Sequence, residues 1–386
     1  MGNREVFMYV SSWNEHGGVP GLGRYTVDQE RGEITFLEMI SETESFNASL
    51  VDDVRGKLYV NNEVPCFPGA PYASGRIFIY DLDPHTGRAK EAGRLVTECP
   101  NPAYLSIDST GQYLFEAHHS LSFSMARHSR GTDGIVETSC AWPEADVQVY
   151  RLDKDGMPAE LVENIDHAHD CEAHPHSAVV SPSGRLLAVA DKGTGYLYLY
   201  TFDYEKKQMI LLNKMLTDRE GASPRYVLFH PEKPFLFVNH EASYDGKCYV
   251  TAFRYREDGQ LERICVVNAL DQSLPVKTDT RLEQQGFVMD RTGTYLYTLI
   301  NAADVIGVLR VDQEDGSLEV LQNLPVPGVR PRGLAIFPNG KYILSSCLVG
   351  GELTVYRIEK DGRLRVHRQG PKQPGASYMS FYQPGI

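Results

Sequence analysis

Apolar and polar residues alternate along this chain in short runs, with no sustained 3.6-residue periodicity. That pattern predicts strands throughout and no helix. One unit recurs. A Pro or small residue opens an alternating apolar run, a turn around Gly follows, a second run ends in polar residues, and a later strand ends in an aromatic. In one copy Asn101-Pro102-Ala103-Tyr104-Leu105-Ser106-Ile107 leads through Gly111 to Tyr113-Leu114-Phe115, then to Val147-Gln148-Val149-Tyr150. Further copies open at His174-Pro175-His176, Ser223-Pro224-Arg225 and Arg330-Pro331-Arg332, and two less regular ones begin near Asn47 and Arg281.

These copies number six, and a seventh is split between the ends of the chain. The stretch 377–382 matches a first strand, while 6–10 and 24–27 match a second and third. At roughly 55 residues per unit, the repeat predicts an all-β chain folded over 1–386 as one seven-bladed β-propeller. Its ring closes by pairing the N- and C-terminal strands in one blade. The turns Asp155-Gly156, Asp258-Gly259, Asp315-Gly316 and Asp361-Gly362 fall between third and fourth strands, as tight hairpins require.

Strands a to d of each blade run from the axis outwards, which puts the a–b and c–d turns on one face of the disc. The b–c and d–a connections then share the other face. Nearly all the extra length lies there, in 64–74, 119–145, 167–173, 242–246 and 267–280. So do nine of the twelve histidines: His16, His118, His119, His128, His167, His169, His174, His176 and His240. Histidine exchanges protons near neutral pH, so this clustering predicts chemistry on the loop-rich face.

Composition narrows the function classes. The net charge of −13 and the lack of a basic tract exclude nucleic acid as an expected partner. No run approaches the ~20 apolar residues of a membrane span. Seven scattered cysteines without a CxxC argue against a disulfide framework or structural zinc. With no secretory pattern in 1–10, a cytoplasmic location is expected.

The phrases His174-Pro-His176-Ser-Ala-Val-Val-Ser-Pro-Ser-Gly-Arg, Ser223-Pro-Arg225-Tyr-Val-Leu-Phe-His-Pro and Arg330-Pro-Arg332-Gly-Leu-Ala-Ile-Phe-Pro-Asn-Gly-Lys carry a resemblance. Across essentially its whole length the chain resembles the lactonase-type seven-bladed propeller family, which includes 6-phosphogluconolactonase-like proteins and carboxymuconate lactonizing enzymes. The resemblance implies catalysis by His174 or His176, Arg225, Arg332 and Glu241, and no required cofactor. The chain also departs from the family pattern. It reads Asn239-His240-Glu241, so either His240 or Glu241 faces the axis; Asn61-Asn62-Glu63 offers a second carboxylate; His118-His119 replaces a plainer segment.

These residues suit lactone chemistry on a small anionic or sugar-derived substrate. Guanidinium groups at the start of a strands bind carboxylate or phosphate bidentately and stabilise an oxyanion. His174 and His176 lie two apart on a strand, so both are expected to point towards the channel, where one protonates a leaving alkoxide or activates water. Glu241 or Glu63 is the carboxylate base. Arg332, Glu63, His118, His240 and Asn301 are the substrate-contact candidates. The expected reaction is hydrolysis of a sugar-type or carboxylated lactone. A lactonizing cycloisomerase or lyase is the alternative, with a divalent metal held by the ligand-dense stretch 167–176. A non-catalytic interaction platform is a third reading, in which the arginines merely tie adjacent blades through Glu63 or Asp191.

Overall fold

The computed structural model describes residues 5–14, 18–70, 72–168, 171–218, 222–242 and 245–385, and among these every regular element is a strand. Blade 1 contains β1 (Val6–Ser12), β2 (Gly21–Asp28) and β3 (Glu33–Ser41). Blade 2 is β4 (Ser49–Asp52), β5 (Lys57–Asn62), β6 (Arg76–Leu82) and β7 (Ala89–Val96). Blade 3 begins with β8 (Pro102–Ile107) and β9 (Tyr113–His118), then inserts a hairpin, β10 (Met125–Arg130) and β11 (Val136–Ala141). It finishes with β12 (Asp146–Leu152) and β13 (Pro158–Asp166). Blade 4 is β14 (Pro175–Val180), β15 (Leu186–Asp191), β16 (Tyr196–Asp203) and β17 (Gln208–Leu216). Blade 5 is β18 (Pro224–Phe229), β19 (Phe235–His240), β20 (Tyr249–Tyr255) and β21 (Leu261–Asn268). Blade 6 is β22 (Gln284–Met289), β23 (Tyr295–Ile300), β24 (Val305–Val311) and β25 (Leu318–Pro325). Blade 7 is β26 (Val329–Ile336), β27 (Tyr342–Val349), β28 (Leu353–Ile358) and β29 (Leu364–Gln369). Finally β30 (Ala376–Tyr382) returns to blade 1 and pairs with β1 as its innermost strand, from Phe7 opposite Tyr382 to Ser11 opposite Tyr378. The ring closes as the split seventh repeat predicts.

Period-two alternation builds this ring because the inner strands are buried on both faces. In β15, Leu186, Ala188 and Ala190 pack with blade 5, while Leu187 and Val189 pack with blade 3. Each of the seven junctions between neighbouring blades thereby has its own apolar cluster. At about 1.5–3 kcal/mol for each fully buried large side chain, these clusters supply the main favourable term. The outermost strands are half-exposed, and β29 buries only Leu364. On the face opposite the long loops, Gly156 at φ 81° turns β12 into β13. Its carbonyl accepts a 2.6 Å hydrogen bond from the Tyr59 hydroxyl of blade 2.

One expectation needs correcting. The stretch 119–145 reads as a plain loop, yet it contains the β10–β11 hairpin, which among the described residues pairs with no other strand. Every residue of β10 is exposed, so no buried face imposes an alternation that the sequence could reveal.

Two recurring features aim side chains at the axis. The first is a bulge at the start of the innermost strand in six blades. The pairing skips Ala103, His176, Arg225, Arg332 and Ser377, and in blade 6 the pair Gln285-Gly286. A bulged residue leaves the alternation of its strand and points elsewhere. The second is the residue that follows the second strand: Trp13, Glu63, His119, Lys192, Glu241 and Asn301 in blades 1 to 6.

Candidate active site

These two sets of residues converge on a cavity of about 600 Å³ at the axis, on the face that carries the long connections. The bulge positions contribute His176, Arg225, Gln285 and Arg332, and all six residues that follow the second strands line it as well. Its wall carries five basic side chains, Lys192, Arg225, Arg281, Arg330 and Arg332, against three carboxylates, Glu63, Glu241 and Glu283. The site is therefore cationic within a chain of net charge −13.

Glu241 is the hub. Arg225 Nη1 donates to its Oε2, and Lys192 Nζ lies 2.9 Å and 3.1 Å from Oε1 and Oε2. Arg225 and Glu241 belong to the same blade, whereas Lys192 reaches Glu241 from blade 4. Arg332 stacks on Trp13, with Cζ 3.9 Å from the ring centroid. Its Nη2 is 3.8 Å from Glu63 Oε2, which also accepts a hydrogen bond from Asn47 Nδ2. Burial pushes the Glu63 carboxyl up, with Arg332 and Arg225 opposing it. Burial and the neighbouring Arg225 charge pull Arg332 down from its ordinary value. The Nε–H groups of Arg225 and Arg332 are buried without a hydrogen-bond partner among the described residues, as is Nδ1 of His176. Buried polar atoms left without a partner cost free energy unless a ligand satisfies them.

Of the nine histidines only some converge: the His119 ring lies 4.6 Å from that of His174 and 5.8 Å from that of His176, centroid to centroid. His176 lies against Tyr226, ring centroids 5.3 Å apart, and burial and then Arg225 hold its imidazole well below the usual pKa. His174, expected to share its direction, does not line the cavity, because the bulge at His176 breaks the alternation between them. Its ring stacks on His119 between two acceptors, the His119 carbonyl 2.5 Å from Nδ1 and Glu172 Oε1 3.0 Å from Nε2.

His118 likewise sits inside blade 3, with Nδ1 2.8 Å from Asp146 and Nε2 3.4 Å from Glu116. Burial opposes its charge, but those two carboxylates win and raise its pKa to about 10. The neighbouring residue, His119, is the one that lines the cavity. His240 is buried within blade 5, 2.9 Å from Thr251 Oγ1, and desolvation lowers its pKa to about 3. Of the Asn239-His240-Glu241 phrase, it is Glu241 that faces the axis. Asn301 lines the cavity while its Oδ1 accepts from the Ala302 amide. His128 is on the exposed hairpin, and His16 and His169 lie outside the described residues.

The donors of 167–176 are spent on separate partners. His167 Nδ1 lies 3.0 Å from Asp191 Oδ2 and its Nε2 3.0 Å from the Tyr200 hydroxyl, while the other Asp191 oxygen accepts from the His174 amide rather than from its ring. Among the described residues no group of three His, Cys, Asp or Glu side chains is arranged to hold a metal ion. Lys192, His119 and Gln285 are site residues that sequence reasoning missed. Lys192 and His119 stand one past the second strand, as Glu63 and Glu241 do, so reading that offset in every blade would find both.

A family model described as lactonase, seven-bladed beta-propeller, matches residues 7–381. The 6-phosphogluconolactonase of Cronobacter sakazakii is 26% identical over 352 residues, covering 89% of this chain and 91% of the relative. That of Bacillus subtilis is 23% identical over 366 residues and covers 92% of each chain. The solved structure of a periplasmic gluconolactonase from Pseudomonas aeruginosa superposes with a TM-score of 0.81 at 21% identity, over 98% of this chain and 99% of that one.

Proposed function

The chain belongs to the lactonase family of seven-bladed β-propellers, and we propose that it hydrolyses a small sugar-type or carboxylated lactone in the axial cavity. One observation carries this reading. Two arginines from different blades line one cavity, and each holds a buried Nε–H with no partner among the described residues. Planar guanidinium donors suit an anionic substrate group and the oxyanion that forms when water adds to the ring carbonyl. His176, uncharged at neutral pH, offers its free Nδ1 to the attacking water, and Glu241 holds Arg225 in place. The relatives named 6-phosphogluconolactonase favour a phosphorylated sugar lactone, which the excess of basic side chains in the wall also suits. Seven cysteines without a disulfide fit the expected cytoplasmic location.

The test is acid release from glucono-δ-lactone, its 6-phosphate and a carboxylated γ-lactone, followed in a pH-stat above the spontaneous rate. Saturable turnover is expected, with the anionic lactones ahead of the neutral one. No turnover on any of the three would overturn the reading.

A further inference from the structure

Lys192 stands one residue past β15, the offset that carries Glu63 in blade 2 and Glu241 in blade 5. Its Nζ contacts both Glu241 oxygens and so links blade 4 to blade 5. Arg225 faces it from β18, Glu63 from blade 2, and Glu283 and Arg281 from the segment before β22. The imidazoles of His119 and His176 also lie within its field. The side chain is only 16% exposed and forms part of the cavity wall. Burial and then Arg225 bring its pKa from the ordinary lysine value to about 7, against the pull of Glu63 and Glu283. Near neutral pH a large share of this lysine is therefore a free amine.

A neutral amine has two N–H bonds and one lone pair. With both N–H groups donated to the two Glu241 oxygens, the lone pair is left for a water in the cavity. The other candidate bases are less well placed. Both Glu241 oxygens already accept hydrogen bonds, Oε2 from the Arg225 guanidinium and each from Lys192, and the depressed pKa of His176 makes it a weak proton acceptor.

We propose that Lys192 is the proton-exchanging residue of lactone opening, taking a proton from the attacking water and returning it to the departing ring oxygen. The proposal rests on the lactonase reading. In the first step the water oxygen bonds to the ring carbonyl carbon while the Lys192 amine takes one of its protons. The carbonyl π pair moves onto oxygen, where Arg225 and Arg332 hold the oxyanion. In the second step that pair re-forms the carbonyl and the C–O ring bond breaks. The ring oxygen leaves with the bonding electrons and takes the proton from the Lys192 ammonium. One water is consumed, the ring becomes a hydroxy acid, and the lysine is again an amine. Glu241 neutralises the transient ammonium without exchanging a proton itself.

The test pairs turnover of Lys192→Arg with direct titration of Lys192. Arginine keeps a cation beside Glu241 but does not release its proton in this pH range. Lys192→Arg should therefore melt as the wild type does yet lose roughly 10²- to 10⁴-fold in kcat with little change in KM. The acid limb of the wild-type kcat/KM profile, with its midpoint near pH 7, should vanish in the variant. In the wild type labelled by ¹³C reductive methylation, the lysine resonance missing from Lys192→Arg should titrate near pH 7. Wild-type kcat and profile in Lys192→Arg, or titration near the ordinary lysine value of about 10.4, would overturn the assignment. An active wild type with an equally active Lys192→Arg removes only the role of Lys192. A wild type that opens no lactone removes the lactonase reading and this assignment together.

Discussion

Replacing Arg225 by lysine separates chemistry from architecture. The residue is 4% exposed, donates from Nη1 to Glu241, and leaves Nε–H without a partner among the described residues. Because Arg225 and Glu241 share blade 5, their ion pair does not bind one blade to the next. The inter-blade link at this point is the one from Lys192 to Glu241. A lysine ammonium can keep one charged contact with Glu241, but it cannot present a second donor in a fixed plane to a bound substrate. The loss is then one charge-assisted hydrogen bond, about 1.5–3 kcal/mol. At about 1.4 kcal/mol per decade, that predicts a fall of about 10- to 150-fold in kcat/KM. The assay is kcat/KM on the anionic lactone that turns over fastest, with a thermal melt on the same preparation. Unchanged kcat/KM with a lowered Tm would refute the reasoning and leave Arg225 a structural residue.

Other perturbations address the ring, the buried histidine, metal and the hairpin. Truncation after Gly375 removes β30, strips β1 of its partner and opens the ring, so cooperative unfolding should disappear; an unchanged melting transition would contradict the closure. His118 has a folded pKa of about 10 against about 6.5 when unfolded, so its stabilising contribution is complete below about pH 6.5 and is lost as pH rises through about 10. The wild-type Tm should consequently fall more steeply than that of His118→Gln over this range, and parallel curves would count against the buried cluster. EDTA is expected to leave turnover unchanged, since His167, His174 and His176 are committed to different partners; loss of activity restored by a divalent ion would reverse that view. Replacing 123–141 by a short linker should leave the Tm within a few degrees of wild type, because among the described residues β10 and β11 pair only with each other, and a large drop would mean that the hairpin braces a blade.

The propeller was legible because its physics is periodic. A strand buried on both faces must be apolar at nearly every position, and a blade must turn sharply three times, so apolar runs and Gly-centred turns recur at a fixed interval. The alternation of β15 between two junctions repeats in its neighbours, and the incomplete units at the two ends add up to one blade. The β10–β11 hairpin escaped detection for the opposite reason. With both faces in solvent, Met125-Ala126-Arg127-His128-Ser129-Arg130 has no burial constraint to write a period into it.

The site was legible only where side-chain direction follows from position. Glu63, Glu241 and Asn301, like His176, Arg225 and Arg332, were named as candidates and line the cavity, while Lys192 was not named and His119 was placed only on the loop-rich face, although both stand at the same offset as Glu63. His118 misled because it is adjacent to His119 and is still on β9, where its parity matches Glu116 and turns it into the blade. His174 misled because simple alternation gives it the direction of His176, and the bulge cancels that alternation. The bulge recurs in six blades and so belongs to the repeat itself. Its positions hold Ala103, His176, Arg225, Gln285, Arg332 and Ser377, residues that differ in size and charge while the surrounding strands stay alike. The apolar clusters between blades draw on other positions, although the bulged Ser377 also donates to the Ser11 and Phe46 carbonyls where the ring closes. The chemistry of the cavity is in this way set largely apart from the residues that hold the fold together. That separation lets a chain of net charge −13 carry five basic side chains around one cavity, with two guanidinium Nε–H groups unpartnered among the described residues.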